Sequence, residues 1–218
     1  MDEASEHSVY FKFRLTQDFR RSTTWKALCD FFFNKVIFEF ETVLELGAGY
    51  CDFINSVKCK KKIAVDQWPG FSRFAAVDVE THVADVINLE GVISNSVDTV
   101  LCSNLLEHLS QSEVSALLNS IKLIMSRENG KLILVQPNYR LNPARYFDDY
   151  THVSIWSDVS MCDFLESHGF EVVKVIPKFL PLSLKSKLPV FRSLIWLYLK
   201  LPLKFKAGQM LIIAKPNG

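Results

Sequence analysis

Beyond Glu171 the chain contains no aspartate or glutamate, although eight basic residues follow from Lys178 to Lys215. The seventeen other basic residues therefore stand against all 24 acids, and residues 1–177 carry a formal charge of −7 hidden beneath a net charge of +1. An acidic bulk of that size would repel phosphates, which disfavours nucleic acid as a partner. No apolar run approaches the ~20 residues needed to cross a bilayer. The five cysteines, Cys29, Cys51, Cys59, Cys102 and Cys162, are odd in number and include no C-x-x-C pair, which supports neither a disulfide framework nor a zinc site. No metal centre is expected. Glycine and proline, eight each, are scattered and mark no linker, so a single domain over residues 1–218 is expected. The acidic, polar start Met1-Asp2-Glu3-Ala4-Ser5-Glu6 lacks the charged-then-apolar pattern of a secretory signal, and a cytoplasmic location is expected.

Against these absences, the stretch Val43-Leu44-Glu45-Leu46-Gly47-Ala48-Gly49-Tyr50-Cys51-Asp52-Phe53 is an apolar strand running into a tight turn of small residues. Gly47 and Gly49 allow a sharp turn and a close backbone approach to a ligand. A dinucleotide fingerprint requires G-x-G-x-x-G/A, and the last place is Asp52 here. A loop that binds pyrophosphate through helix N–H groups gains nothing from a neighbouring carboxylate, whereas a cofactor with a cationic amino-acid moiety would gain from Glu45. A nicotinamide dehydrogenase is thus the least favoured reading.

The acidic residue two before a G-x-G turn resembles the first motif of the class I S-adenosylmethionine-dependent methyltransferases, with Cys51 where that family usually has a third glycine. Strand Lys62 to Val65 ends at Asp66, about 20 residues after the loop, where a carboxylate suits a ribose diol. Val83-Ala84-Asp85-Val86 falls where family members accept the adenine amino group, and Ser103-Asn104-Leu105-Leu106-Glu107-His108-Leu109 is similar to the fourth motif. The resemblance implies S-adenosylmethionine as cofactor and S-adenosylhomocysteine as product. The implied contacts are Glu45, Gly47, Ala48, Gly49, Asp66, Gln67, Asp85, Val86, Ser103 and Asn104, with His108 lining the methyl-donor pocket.

Helix and strand alternate along the chain, which predicts an α/β fold: one Rossmann-like, doubly wound, seven-stranded, mainly parallel sheet with an antiparallel last strand. The expected elements are a helix over 22–33, strand Thr42 to Leu46, a helix from the glycine loop to Val57, strand Lys62 to Asp66 and a short strand near 75–77. There follow strand 97–103, helix 111–125, strand 131–136, helix 157–167 and strands 170–176 and 209–215. Ligands of such a sheet lie beyond the carboxyl ends of its strands. Strand 131–136 delivers Pro137 to His152 to that edge, a polar and aromatic run long enough to suggest function.

Methyl transfer to a hydroxyl requires a base at the acceptor oxygen, and His152 is the natural candidate, with Asp148 or Asp149 to orient it or to bind a polyol. His108 joins His152 and Asp149 as a candidate catalytic residue. Asn138, Arg145, Tyr146, Asp148 and Tyr150 are the candidate acceptor contacts, the tyrosines by stacking on a sugar and Arg145 by holding a phosphate or carboxylate. The run Arg145 to His152 resembles a subgroup associated with bacterial surface-polysaccharide and glycolipid pathways. That implies O-methylation of a sugar or lipid-linked glycan; a lipid, quinone or polyketide acceptor, or a non-catalytic cofactor-binding role, stays open.

The domain is expected to carry an N-terminal helical cap over about 10–38 and a basic, apolar insertion over about 178–208 between the last two strands. Trp196 and Tyr198, among leucines and lysines, fit a helix lying in a membrane interface, so residues 178–206 are a candidate contact for an anionic membrane at the inner face of the cell. Packing onto the sheet or across a homodimer is the other reading.

Overall fold

A computed structural model describes residues 18–94, 96–182, 191–202 and 204–217. Residues 10–17 of the expected cap and 183–190 of the expected insertion, with Lys185 and Lys187, lie outside them. Seven strands form one sheet: β1 (Thr42–Leu46), β2 (Lys61–Asp66), β3 (Val79–Val83), β4 (Thr99–Ser103), β5 (Lys131–Pro137), β6 (Phe170–Pro181) and β7 (Ala207–Pro216). Their order is β3-β2-β1-β4-β5-β7-β6, with β7 antiparallel to both neighbours and the other pairings parallel. The helices are α1 (Phe19–Phe31), α2 (Gln111–Ile124), the single turn α3 (Pro143–Tyr146), α4 (Asp158–Ser167) and α5 (Arg192–Lys200).

Each central strand is apolar on both sides because both faces are covered. Leu44 and Leu46 of β1, Ile63 and Val65 of β2 and Leu132 and Leu134 of β5 join Leu117, Leu118 and Ile121 of α2 and Met161 and Leu165 of α4 in one core. Val43, Ala64 and Ile133 point the other way, to Trp25, Leu28 and Cys29 of α1 and, at its margin, Ile195, Tyr198 and Leu199 of α5. By the same alternation Glu45 and Asp66 share the second face. This is the doubly wound arrangement expected.

Boundaries differ where local capping overrides periodicity. α1 starts at Phe19, earlier than expected, because Asp18 accepts the Arg20 N–H at 3.0 Å, and it ends at Phe31, with Phe33 in a 3₁₀ turn. No helix follows the glycine loop: Asp52 to Ser56 forms successive turns tied by Asn55 N–H to the Cys51 carbonyl. The strand expected near 75–77 lies at β3, since Ala75 caps the 3₁₀ turn Phe71–Phe74. Strand four begins at Thr99, and Val97 makes only an isolated bridge to Met125. α2 opens with a capping box in which Ser110 and Glu113 satisfy each other's N–H groups.

At the amino-terminal edge of the sheet a buried ion pair fastens the α1 layer. Lys131 Nζ donates to Glu41 at 2.6 Å and to the Val36 carbonyl at 2.6 Å, while Thr99 Oγ1 donates to the other Glu41 oxygen. Glu41 is 2% exposed. Removing one partner of such a pair strands the other charge, which costs more than the pair's net worth. Lys131→Met should lower unfolding stability by about 3–5 kcal/mol in urea titration; an unchanged midpoint would show that the pair is not needed.

α5 turns one face to the core, with Tyr198 Oη donating to the Phe205 carbonyl at 3.4 Å, and Arg192 ties it to Asp30 of α1 at 2.7 Å. Its other face exposes Leu194, Trp196 and Leu197. Lys204 lies over Phe179 and Tyr198, which draws one of the tail's charges inward. No helix of the described residues is long and apolar enough to cross a membrane.

Candidate active site

The carboxyl ends of β1 to β4 gather all ten residues expected to hold the cofactor. Gly47 and Gly49 both have left-handed backbones, with φ of 69° and 53°. A Cβ at Gly47 would lie 3.1 Å from Leu105, so the glycine also lets the post-β4 segment close over the turn. Cys51, at the family's third glycine position, is left-handed too, with φ of 57°. A side chain in that region costs about 1–3 kcal/mol, so the backbone geometry there is kept although the glycine is absent.

Two buried carboxylates fix the loop. Glu45 Oε2 accepts the Ile54 N–H at 3.1 Å and so holds the chain that leaves the turn. Burial raises its pKa well above the usual carboxylate value, the Ile54 bond offsets part of this, and the nearby charges of Asp52 and Asp66 add to it while Arg21 opposes. Asp66 Oδ2 accepts the Gly49 N–H at 2.7 Å and its Oδ1 the Trp68 N–H at 2.8 Å, binding the turn to the tip of β2. An ionised carboxylate has about four acceptor sites, so these bonds are compatible with a ribose contact. Gln67 follows, exposed.

Asp85 is exposed and accepts the Ile87 N–H at 3.1 Å, and Val86 beside it is buried. Asn104 has a left-handed backbone, accepts from Gln209 Nε2 of β7 at 3.0 Å and donates to Ser103 Oγ at 3.3 Å. An aromatic wall stands beside Asp66: Tyr50 meets Phe74 at 4.7 Å and Trp68 at 5.6 Å between ring centroids, and Arg73 lies over Trp68 and Phe74. The sequence reading missed this wall, although the aromatic residues Trp68 and Phe74 soon after Asp66 signalled it.

The long loop after β5 folds back on the segment after β4. Val153 and Ser154 N–H groups donate to the Glu107 carbonyl, Ser154 Oγ to the Leu109 carbonyl and Trp156 Nε1 to the Leu106 carbonyl. This places His152 beside His108, with ring centroids 5.0 Å apart. Thr151 Oγ1 donates to Asp149 at 2.7 Å, and His108 Nδ1 lies 3.0 Å from that hydroxyl and 3.2 Å from the Thr151 carbonyl. With the hydroxyl proton committed to Asp149, both groups facing Nδ1 are acceptors, so Nδ1 carries the proton. Asp149 thus orients His108 through Thr151, where the sequence suggested a partner for His152.

Beneath them lies Glu107, 1% exposed and absent from the sequence-based site. Burial lifts its pKa to about 8 against its own backbone N–H, with Asp149 raising it further. Burial, followed by His152, lowers the pKa of His108, and Thr151 and Asp149 oppose that shift. Its adjacency to His108 behind an apolar strand was the available signal.

The expected acceptor contacts divide. Arg145 and Asp148 are exposed and paired at 3.3 Å, and Tyr150 is exposed. Asn138 is buried, donating to Asp158 and the Pro177 carbonyl and accepting from the Arg140 N–H. Tyr146 is 1% exposed, its hydroxyl donates to the Ser154 carbonyl at 2.7 Å, and its ring packs edge-on against His152 at 4.8 Å. These two side chains shape the loop from within.

Sheet order, glycine turn and acids at successive strand tips define a Rossmann-like methyltransferase. A family model described as a methyltransferase domain matches residues 17–175, and the chain belongs to that family. It is an S-adenosylmethionine-dependent methyltransferase, with S-adenosylhomocysteine as product. A solved S-adenosylmethionine-dependent methyltransferase from Archaeoglobus fulgidus is 20% identical with a TM-score of 0.67, over 96% of this chain and 99% of that one. A putative methyltransferase in complex with the Haloferax volcanii activator Trm112 gives 15% and 0.71, over 100% and 99%. Magnesium protoporphyrin IX methyltransferase from Synechocystis PCC 6803 with bound S-adenosylmethionine gives 12% and 0.61, over 100% and 98%. No protein of curated function matches this chain in sequence.

The side chains present fit that cofactor: a turn that a Cβ would fill, carboxylates at two strand tips and an exposed aspartate at the third. Because the folded pKa of Glu45 exceeds its unfolded value of about 4.5, its contribution to stability is full below pH 4.5 and is lost as pH rises towards the folded pKa. Glu45→Gln, which keeps an acceptor for the Ile54 N–H, should remove this slope, so that without cofactor the variant gains on wild type as pH rises from 4.5. Parallel urea-unfolding stabilities across pH would contradict the assignment.

Proposed function

We propose that this methyltransferase acts on an oxygen of a sugar or lipid-linked glycan bound over the loop of residues 138–152. The observation that carries the reading is the position of that loop, folded over the carboxyl edge of β4 with His108 and His152 together and with Arg145, Asp148 and Tyr150 exposed on the same loop. S-adenosylmethionine supplies a methyl group already activated on a sulfonium. The chain's part is to align the acceptor, to exclude water and to take up the acceptor's proton.

Glu45, Gly47, Ala48, Gly49, Asp66 and Gln67 hold the amino-acid and ribose portions, Asp85 and Val86 the adenine, and Ser103 and Asn104 the floor below the methyl group. Gln209 fixes the Asn104 amide from β7. His152 is the loop's contribution to the cluster that receives the hydroxyl proton, with His108 and Asp149 as its companions. The resemblance of Arg145 to His152 to surface-polysaccharide and glycolipid enzymes supports the acceptor class. The outward face of α5, with Leu194, Trp196 and Leu197 beside Lys200, supports contact with an anionic membrane surface, where a lipid-linked acceptor would lie.

Labelled methyl transfer from S-adenosylmethionine into fractionated extract of the source cell tests the reading. Label is expected in the glycan or glycolipid fraction, and His152→Ala should reduce it about 10²–10⁴-fold while S-adenosylhomocysteine still binds. Label confined to protein, nucleic acid or a non-glycosylated small molecule would overturn the acceptor class. Undiminished transfer by His152→Ala would overturn its role.

A further inference from the structure

The sequence reading expects no metal, yet among the described residues Glu107, His108 and His152 each offer a ligand atom within 4.8 Å of the others. Two imidazoles and a carboxylate are a ligand set that catalytic zinc sites and other open transition-metal sites use, leaving a further position for a substrate oxygen. We propose that Glu107, His108 and His152 form a site for one divalent transition-metal ion of the zinc class, placed to hold the acceptor hydroxyl. The use of the site on an acceptor oxygen rests on the function proposed above; the metal site itself does not.

Three independent features carry the inference. Glu107 is buried and its Oε2 has no hydrogen-bond partner. A buried oxygen without a donor is costly, and a cation would satisfy it. Next, His108 is presented as a ligating histidine requires. Its Nδ1 donates into Thr151, whose hydroxyl is held by Asp149, which fixes the ring's tautomer and orientation. Finally, the hydrogen bonds from Val153 and Ser154 to the Glu107 carbonyl hold the His152 loop against the Glu107–His108 turn, so the three ligands are brought together by backbone.

Ligand atoms around tetrahedral zinc lie about 3.3 Å apart, given bonds of about 2.0–2.2 Å, so these atoms, all within 4.8 Å of one another, would draw in by up to about 1.5 Å on loading. The cation would lower the pKa of a hydroxyl bound at the open position, so that its proton passes to solvent water as the acceptor binds, before methyl transfer, and the histidines need not take it up. In the loaded site His152 acts as a ligand and the cation as the activating group.

Cobalt(II) chloride, titrated into the chelator-treated full chain without acceptor, tests the site by visible absorption, with zinc competition to follow. One equivalent should bind with the absorption of a low-coordinate site. Glu107→Gln and His152→Ala should lose that band with unchanged circular dichroism, and Thr151→Val should weaken binding roughly 10–100-fold. Should Glu107→Gln not fold, His152→Ala decides the matter. Absence of stoichiometric cobalt binding to wild type, or equal binding by His152→Ala and wild type, would overturn the proposal. A chain that binds cobalt as expected but labels no glycan would keep the site and remove the acceptor class; glycan labelling by a chain that binds no cobalt would do the reverse.

Discussion

The Asp66 carboxylate is the constraint on which the cofactor edge depends. By accepting the Gly49 N–H with one oxygen and the Trp68 N–H with the other, it ties the turn after β1 to the turn after β2. It acts with the Gly47 N–H bond to the Val65 carbonyl at 2.9 Å and the Cys51 N–H bond to the Ala48 carbonyl at 2.8 Å to hold two left-handed glycines and a left-handed cysteine in one conformation. Both bonds to Asp66 are enclosed, with the residue itself buried. Glu45 extends the same logic to the chain leaving the turn. The cost is electrostatic: several acids sit close together in a poorly solvated place, and Glu45 is pushed towards its neutral form. A ligand bearing a cationic group relieves that cost, which ties the stability of this edge to its function.

Much of this edge was legible in the chain because its determinants are local. Glu45, Gly47 and Gly49 lie within five consecutive positions, and the acids at Asp66 and Asp85 follow strands that read clearly as apolar runs. The sheet was legible because helix and strand periods alternate, and the antiparallel last strand followed from the family resemblance. The turns after Gly49 were read as helix because they keep an apolar pattern at Phe53, Ile54 and Val57. Here the Ser56 N–H donates to the Phe53 carbonyl and its hydroxyl to the Asp52 carbonyl, which leaves no continuous helical ladder.

The acceptor side was less legible because its contacts are distant in sequence. Tyr146 and Asn138 read as surface ligands by type, yet the loop's own satisfaction requires them inside, donating to Ser154, Asp158 and Pro177. Asp149 was matched to His152 by proximity along the chain, whereas the fold routes it through Thr151 to His108. Glu107 went unread because a lone glutamate after a strand usually faces water. Only the return of the loop, which covers it with Val153 and Ser154, turns it into a buried carboxylate with a raised pKa. The same long-range return makes a candidate catalytic cluster from residues contributed by two separate strand ends.

We propose that the tips of β1 and β2 hold S-adenosylmethionine through one shared carboxylate, that of Asp66. Calorimetric titration of S-adenosylhomocysteine into wild type and Asp66→Ala tests it most directly, with circular dichroism to verify the fold. Binding to wild type, and its loss in a folded Asp66→Ala, is the predicted result. Wild-type affinity in the folded variant would contradict the claim and detach the glycine turn from the cofactor.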